Sequence, residues 1–176
     1  MYKVVIVGAG NMAKEYVKVI NKIKEFKILG VVSRKNTSFN EIQSRINYKI
    51  KRFKIKNLKK NKINLILVAV SEENTLKILK KISDINSIIL CEKPVGINYS
   101  EFLNISEAYK KRKKLLFVAL NRRYYSSINY LKNSIRTQKI NKINIVDQQD
   151  LILAKKSGKN KNVIKYWMYA NSIHLI

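Results

Sequence analysis

A chain of 176 residues, 46% of them hydrophobic, is long enough for one domain with a core and for the beginning of a second. That composition excludes a disordered chain, and no apolar run approaches the ~20 residues that a membrane span needs, so no membrane partner is expected. The apolar run Val4–Val7 is too short for a secretory signal, and the single cysteine, Cys91, excludes an internal disulfide. We therefore expect a cytoplasmic, globular protein.

The formal net charge of +26 comes mostly from lysines that are spread along the whole chain. Of the 37 basic residues only seven are arginines, at positions 34, 45, 52, 112, 122, 123 and 136. A nucleic-acid reader more often concentrates its charge, uses arginine for bidentate contacts and interleaves aromatic residues. The pattern therefore predicts a solvated surface and no specific nucleic-acid partner. A nucleic-acid-binding module is the alternative that the charge leaves open.

Short apolar runs alternate with helical periodicity over most of the chain. Strands are predicted at Tyr2–Val7, Phe26–Val32, Ile63–Val70, Ser87–Cys91 and Leu115–Leu120, with a short edge strand around Arg52–Ile55. Helices are predicted at Asn11–Lys24, Ser38–Ile46, Glu72–Ser83, Ser100–Lys113 and Tyr124–Thr137. This alternation is typical of an α/β fold with a Rossmann-type doubly wound parallel sheet.

Finer features of the helices also follow from the spacing. The core-facing side of the first helix is predicted from apolar side chains three and four residues apart: Met12, Tyr16, Val19, Ile20 and Ile23. Ser38, with Glu41 three residues on, is the predicted N-cap of the second helix, and Ser100 caps the fourth.

The alternation of predicted strands and helices ends after Thr137. Lys142–Leu153 is predicted to be extended, and no paired helix follows it at once. We therefore predict a first domain over residues 1–122, and over residues 123–176 a crossover helix and the beginning of an α+β second domain. Because the sequence stops inside an apolar, helix-like pattern without a C-cap, that second domain is expected to be truncated.

A glycine turn, Gly8-Ala9-Gly10-Asn11-Met12-Ala13, follows the first strand directly and opens the first helix. In that context a G-x-G-x-x-A sequence predicts a dinucleotide site. Gly8 allows the tight turn, Gly10 lets the backbone approach the pyrophosphate, and Ala13 lets helix and strand pack closely. The helix N-terminus offers N–H groups and partial positive charge to the phosphates. The first domain is therefore predicted to bind a dinucleotide.

The second strand runs into Ser33-Arg34-Lys35, and Ser33 is 23 residues past Gly10. NAD-binding proteins commonly place an Asp or Glu here to hydrogen-bond the ribose hydroxyls. This chain has no carboxylate there, and Ser33 and Arg34 suit a 2′-phosphate, which predicts NADP as the cofactor and leaves NAD as the alternative. It also stays open that these cations simply belong to the general lysine excess.

The tetrapeptide Cys91-Glu92-Lys93-Pro94 stands at the C-terminal end of a predicted strand, where the ligand crevice of an open α/β sheet lies. A lysine that emerges from a buried strand brings an ammonium group into that crevice, where desolvation can tune it for proton transfer. Judged by its residue type alone, Lys93 is one of many lysines in this chain.

Taken together, these motifs resemble those of the Gfo/Idh/MocA family, which includes glucose–fructose oxidoreductase and inositol dehydrogenase. The resemblance rests on the glycine turn, Glu92-Lys93-Pro94, Asn121-Arg122-Arg123-Tyr124 and Asn171-Ser172-Ile173-His174-Leu175-Ile176, which occur in the family's order. It implies an NAD(P)-dependent oxidoreductase that transfers a hydride between the nicotinamide and a hydroxyl or ketone of a sugar, nucleotide sugar or cyclitol.

The resemblance also implies roles for individual residues. Lys93 matches the lysine that contacts the substrate and the nicotinamide ribose, and His174 matches the histidine that acts as general acid/base on the reacting hydroxyl. Arg123 and Asn171 are expected beside them at the substrate. Beyond the glycine turn, the expected cofactor contacts are Ser33, Arg34, Val70, Ser71, Glu92, Lys93, Pro94 and Asn121. No metal site is expected.

The chain departs from the family's pattern at some of these positions. Before the histidine the family often has an aspartate and a glycine, where this chain has Ala170 and Ser172. After the fourth strand the segment Val70–Thr75 lacks the family's usual proline and histidine. These departures favour an alternative function, a non-catalytic dinucleotide-binding regulator or scaffold. A homo-oligomer formed through the C-terminal domain is a further expectation.

Overall fold

The computed structural model describes residues 1–136, 142, 144, 146 and 152 of the chain. The chain divides into two compact units, and the division falls between Ala119 and Leu120. The first unit contains the whole sheet. Asn171 and His174 lie outside the described residues, as does most of the segment that follows residue 136.

Six strands form one sheet in the first unit. They are β1 (Tyr2–Val7), β2 (Phe26–Val32), β3 (Lys51–Phe53), β4 (Leu65–Val68), β5 (Ile88–Cys91) and β6 (Leu116–Val118). Their spatial order is β3-β2-β1-β4-β5-β6, and every neighbouring pair is parallel. This is the strand order of a doubly wound dinucleotide-binding sheet, so the predicted α/β Rossmann-type fold is confirmed.

Helices connect these strands. The described part of the chain contains α1 (Asn11–Ile20), α2 (Asn36–Gln43), α3 (Glu72–Ile82), α4 (Tyr99–Lys111) and, in the second unit, α5 (Ser126–Ile135). Short 3₁₀ helices lie at Ile55–Lys60 and Asn121–Tyr124. Among the described residues, none of the helices has the length and apolar character that crossing a membrane demands.

Alternate residues of the central strands are buried on opposite faces of the sheet. In β1, Val4 and Ile6 belong to the core cluster that includes α1 and α2, whereas Val5 and Val7 belong to the cluster that includes α3 and α4. All four side chains have 0% exposure, because both faces of the strand are covered. Burying each of them contributes about 1.5–3 kcal/mol before the entropy of ordering is subtracted.

The buried face of helix α1 agrees only in part with the one that its spacing predicted: Ile20 is buried and Tyr16 packs against the core, but the centre of the face is different. Ala13, Val17 and Ile20 lie in the core, whereas Met12 and Val19 are exposed. The reason is that the glycine turn sets the rotation of the helix. With its N-cap at Gly10, the helix presents its smallest apolar side chain, Ala13, to the sheet, and the stripe that follows Ala13 is buried with it.

Two N-caps also differ from the prediction. Helix α2 begins at Asn36 and its N-cap is Lys35, not Ser38; it directly follows the loop whose Arg34 carbonyl is bonded to Arg52. Helix α4 is capped by Asn98 instead of Ser100, and the Asn98 side chain accepts a 2.9 Å hydrogen bond from the Glu101 N–H. For α4 the sequence alone does not decide between Asn98 and Ser100, because Asn and Ser are about equally good N-caps.

Gly30 lies where the register between β1 and β2 shifts, so that Val4 pairs with Ile28 and Val5 pairs with Gly30. A Cβ atom at Gly30 would lie 2.7 Å from the Phe53 ring and 2.9 Å from a backbone carbonyl carbon of β3. Since backbone must move to admit it, we expect Gly30→Ala to lower the free energy of unfolding by about 1–3 kcal/mol.

Urea unfolding followed by circular dichroism measures this loss of stability. Asn47→Ala is the control, because Asn47 is an exposed loop residue of the same unit and its truncation should leave the free energy of unfolding nearly unchanged. Equal midpoints for wild type and Gly30→Ala would show that the sheet tolerates a side chain there.

Candidate dinucleotide site

The strand order reverses between β1 and β4, which are neighbours in the middle of the sheet. Val7, the last residue of β1, pairs with Val32 of β2 and Val68 of β4, and Val68 pairs in turn with Cys91 of β5. The four strands therefore end level with one another. In a doubly wound sheet the ligand crevice opens at the carboxyl ends of the strands, where the order reverses.

The predicted cofactor residues of the first unit follow these four strand ends. Gly8 follows β1, Ser33 follows β2, Ala69–Ser71 follow β4 and Glu92–Pro94 follow β5. Backbone hydrogen bonds fix two of these exits: the Gly8 N–H donates to the last carbonyl of β2 at 3.0 Å, and the Glu92 N–H donates to the last carbonyl of β4 at 2.8 Å. The structure thus brings these segments to one edge of the sheet.

Gly8 makes the turn after β1. Its φ angle is +116°, a conformation that side-chain-bearing residues rarely adopt. A Cβ atom there would lie 2.7 Å from the carbonyl carbon of Ala69, so a side chain would collide with the backbone that follows β4. The turn after β1 therefore passes directly against the end of β4, and glycine is required for both reasons.

Gly10, unlike Gly8, has open space around its Cα atom. It is the N-cap of α1, its backbone is extended, and a Cβ atom would meet nothing within 4 Å. The first turn of α1 contains no acidic side chain, and Asn11 and Met12 are exposed whereas Ala13 is buried. An open approach to a helix N-terminus without carboxylates suits a pyrophosphate, because the free N–H groups and the helix dipole attract anions.

The N-terminus of α3 differs from that of α1. Ser71 is its N-cap, and Glu72 and Glu73 occupy its first turn. The Ser71 hydroxyl accepts a 2.7 Å hydrogen bond from the Asn74 amide, and the Ser71 carbonyl accepts one from the Thr75 hydroxyl at 3.3 Å. Two carboxylates satisfy the dipole of α3. Compared with α3, the N-terminus of α1 is therefore the one that suits phosphate.

The loop after β2 is held by Arg52, a residue of β3 that the sequence had assigned only to an edge strand. The Arg52 guanidinium donates to the carbonyl of Arg34 at 2.8 Å and to the carbonyl of Ser33 at 3.2 and 3.3 Å, and it also binds the Asn36 side chain. The Ser33 hydroxyl donates to the Lys35 carbonyl at 3.0 Å. The sequence contained one indication that Arg52 has a special role: it is an arginine among neighbours that are mostly lysines.

Glu92 has a partner that the sequence did not reveal. The Tyr16 hydroxyl of α1 donates a hydrogen bond to the Glu92 carboxylate, whose other oxygen accepts a 3.3 Å hydrogen bond from the Lys93 N–H. Burial, and then the hydrogen bond to Glu92, raise the pKa of Tyr16 above its ordinary range, so the phenol stays protonated as the donor. The sequence had placed Tyr16 on the core-facing side of the first helix as an apolar residue, and it did not predict the hydrogen bond to Glu92.

Cys91 and Lys93 flank Glu92 and differ in their surroundings. Cys91 is fully buried, and burial, together with the nearby Glu92 charge, raises the pKa of its thiol to about 12. It therefore stays a neutral thiol and has no role as a nucleophile at neutral pH. Lys93 is partly buried at the strand end, and the Lys93–Pro94 peptide bond is cis.

The other predicted site residues belong to the second unit or lie outside the described residues. Asn121 and Arg123 are exposed residues of the 3₁₀ helix Asn121–Tyr124. Asn171 and His174 are not described, so the expectation that Lys93 and His174 act on the same substrate stays a prediction. Within the described part of the chain no group of three His, Cys, Asp or Glu residues could hold a metal ion.

Comparison with known proteins identifies relatives of this arrangement. The family model GFO_IDH_MocA, described as an oxidoreductase family with an NAD-binding Rossmann fold, matches residues 2–120. No curated protein sequence matches the chain.

Several solved structures share the fold. An NAD-binding protein from Listeria innocua superimposes with a TM-score of 0.69 at 21% identity, over 79% of this chain and 41% of its own. GenD2 from gentamicin A biosynthesis, in complex with NAD, gives a TM-score of 0.71 at 17% identity over 78% and 39%. Myo-inositol 2-dehydrogenase from Lactobacillus plantarum gives 0.70 at 18% over 81% and 43%. The chain thus spans about two fifths of the length of these proteins.

The Tyr16–Glu92 hydrogen bond leads to a test of stability. Tyr16→Phe leaves a partly buried carboxylate without its donor, so we expect the free energy of unfolding at pH 7 to fall by about 1–3 kcal/mol. Tyr2→Phe, at an exposed position, is the matched control and should change little. Urea titrations of both variants measure the difference.

The same pair has a defined pH dependence. Because folding raises the pKa of Tyr16, its contribution to stability is fully present below pH ~10, the ordinary pKa of a phenol, and is lost as pH rises beyond that value. The stability gap between wild type and Tyr16→Phe should therefore narrow above pH ~10. A gap that is absent at pH 7, or that widens in alkali, would contradict the hydrogen bond.

Proposed function

For this chain, which belongs to the Gfo/Idh/MocA oxidoreductase family, we propose that the first unit binds NADP, with NAD as the weaker ligand. We further propose that the whole protein transfers a hydride between this cofactor and a hydroxyl or ketone of a sugar, nucleotide sugar or cyclitol. The observation that supports this most strongly is the pairing of Gly8, packed against β4, with Gly10, open at the N-terminus of α1.

The preference for NADP rests on the end of β2. Where NAD-binding sheets commonly place a carboxylate, this chain has Ser33 and the exposed Arg34, and Lys35 follows them. A 2′-phosphate would meet cations there and no acidic side chain from this tripeptide. A charge-assisted hydrogen bond contributes about 1.5–3 kcal/mol, so the preference for NADPH over NADH should be about tenfold or more.

The proposed chemistry divides the reaction between the cofactor and two side chains. The nicotinamide accepts or donates the hydride, and the hydroxyl proton must be handled by the protein. Lys93, directly after β5, would stabilise negative charge that develops on the reacting oxygen. His174, the single histidine of the chain, would take up or deliver the proton. Val70, Ser71, Glu92, Pro94 and Asn121 are proposed to line the cofactor, and Arg123 and Asn171 the substrate.

A non-catalytic dinucleotide-binding regulator or scaffold is the second candidate. It is favoured by Ala170 and Ser172, which stand where the family often has an aspartate and a glycine near the histidine. Loss of that aspartate would leave the proposed base without a carboxylate partner. In either case we propose a cytoplasmic protein that forms homo-oligomers through a C-terminal domain.

Cofactor binding is tested by titrating NADPH and NADH against the 176-residue chain and following reduced-nicotinamide fluorescence. Gly10→Val puts a branched side chain where the pyrophosphate must approach, and should raise the dissociation constant of NADPH about tenfold or more. Asn47→Val, an exposed substitution elsewhere in the first unit, should not. Equal affinity of wild type and Gly10→Val for NADPH would rule out this site.

Turnover by the whole protein separates the enzyme from the scaffold. Lys93→Met and His174→Ala should each lower kcat on an oxidisable sugar or cyclitol by about 10²-fold or more, with NADPH affinity nearly unchanged, because neither residue holds the pyrophosphate. A panel of such substrates with NADP as acceptor provides the assay. Undiminished turnover by His174→Ala, or no turnover of any substrate by wild type, would favour the scaffold.

A further inference from the structure

We propose that Arg52 is a specificity-determining residue for the cofactor, and that it acts by positioning the loop Ser33–Asn36 at the adenosine ribose. This inference rests on the proposed function of the site. It goes beyond that function because it assigns the discrimination between NADP and NAD to a side chain of β3, outside the loop that would touch the phosphate.

The geometry ties one guanidinium to three positions of the loop. Parallel pairing sets Arg52 beside Val31 of β2, one residue before the end of that strand. From there its Nη2 donates to the Arg34 carbonyl at 2.8 Å and to the Ser33 carbonyl at 3.2 Å, its Nε donates to the same Ser33 carbonyl at 3.3 Å, and its Nη1 binds the Asn36 side chain. Both ends of the loop are therefore attached to β3.

Arginine is needed for this arrangement. The planar guanidinium presents five N–H donors in a fixed fork, which reaches two carbonyls and an amide oxygen at once. A lysine ammonium has a single nitrogen on a flexible stem and cannot span the same acceptors. Lys51, the residue before Arg52 in β3, and Lys54, directly after the strand, are both exposed lysines, so a surface cation in this segment does not by itself require arginine.

An ordered Ser33–Asn36 loop should strengthen the binding of the 2′-phosphate of NADP more than the binding of the ribose hydroxyls of NAD. Ser33 and Arg34 can grip a 2′-phosphate only if the loop is already ordered, since ordering it on binding would cost affinity. The cationic side chain of Arg34 favours a dianionic phosphate and offers little to the neutral ribose hydroxyls of NAD. Arg52 would contribute by holding the loop that carries Arg34.

Two substitutions distinguish the effect of the guanidinium geometry from the effect of its positive charge. Arg52→Lys keeps the charge and loses the fork, whereas Arg52→Gln loses both. If Arg52 acts by positioning, each variant should reduce the preference for NADPH over NADH from about tenfold to about threefold or less, mainly by weakening NADPH binding. Arg45→Gln removes an equal charge elsewhere in the first unit and should leave the preference unchanged.

Coupling to Arg34 gives a second readout. In wild type, Arg34→Gln should weaken NADPH binding about tenfold, and in the Arg52→Gln background the same substitution should weaken it less than about threefold. Fluorescence titration of NADPH and NADH at one fixed ionic strength, with the 176-residue chain, measures all of these affinities.

The outcomes distinguish this inference from the function on which it rests. If wild type binds neither cofactor, or binds both equally, the proposed NADP site is wrong and the inference falls with it. If wild type prefers NADPH and both Arg52 variants keep that preference, the inference alone is wrong. Full preference in Arg52→Lys with loss in Arg52→Gln would show that Arg52 supplies charge without positioning the loop, which also overturns it.

Discussion

The close approach between Gly8 and the backbone at Ala69 constrains the rest of the site. Because β1 and β4 are adjacent and end level, the chain that leaves β1 must pass directly against the chain that leaves β4. That passage sets where α1 begins and how it is rotated. Gly10 becomes the open N-cap, Ala13 faces the sheet, and Tyr16, three residues on, lies where its hydroxyl reaches Glu92 at the end of β5. The passage of the chain at Gly8 thus places the open N-terminus of α1, and Tyr16 then connects this helix to Glu92, the residue before Lys93.

The charges close to each helix N-terminus, and not the net charge of +26, decide which of these N-termini suits an anion. Helix α1 begins without a carboxylate, whereas α3 begins with Glu72 and Glu73, so only the first of these two N-termini presents an unopposed dipole. A further acidic group of the first unit is paired with a lysine: Glu41 of α2 binds Lys14 of α1, and that contact lowers the pKa of the Glu41 carboxyl. Placement of a few carboxylates therefore does more to define a phosphate site than the many dispersed lysines.

The parts of this arrangement that the sequence predicted are those that depend on local pattern. The bounds of β1 and β2 agree with the structure because a β-branched run buried on both faces has a clear start and end, and the glycine turn was recognisable from its strand and helix neighbours. Asn98 was missed as a cap because Ser100 is an equivalent local candidate. The contacts of Tyr16 with Glu92, 76 positions apart, and of Arg52 with Arg34, 18 apart, arise only when distant segments meet, so no pattern in the sequence announces them.

The Tyr16–Glu92 hydrogen bond has a consequence for how the two halves of the reaction are organised. It joins the helix that would hold the pyrophosphate to the residue that precedes Lys93, and the Lys93 N–H is bonded to the same carboxylate. The Glu92 side chain therefore connects the backbone at Lys93 to α1, and this connection lies within the first unit. Pyrophosphate binding and the placement of the Lys93 backbone should accordingly be properties of residues 1–119, whereas the proton-transfer role proposed for His174 depends on a later part of the chain. A substitution that breaks this contact should disturb the Lys93 side of the chemistry while the glycine turn still holds the phosphates, because the turn is fixed separately by Gly8 against β4.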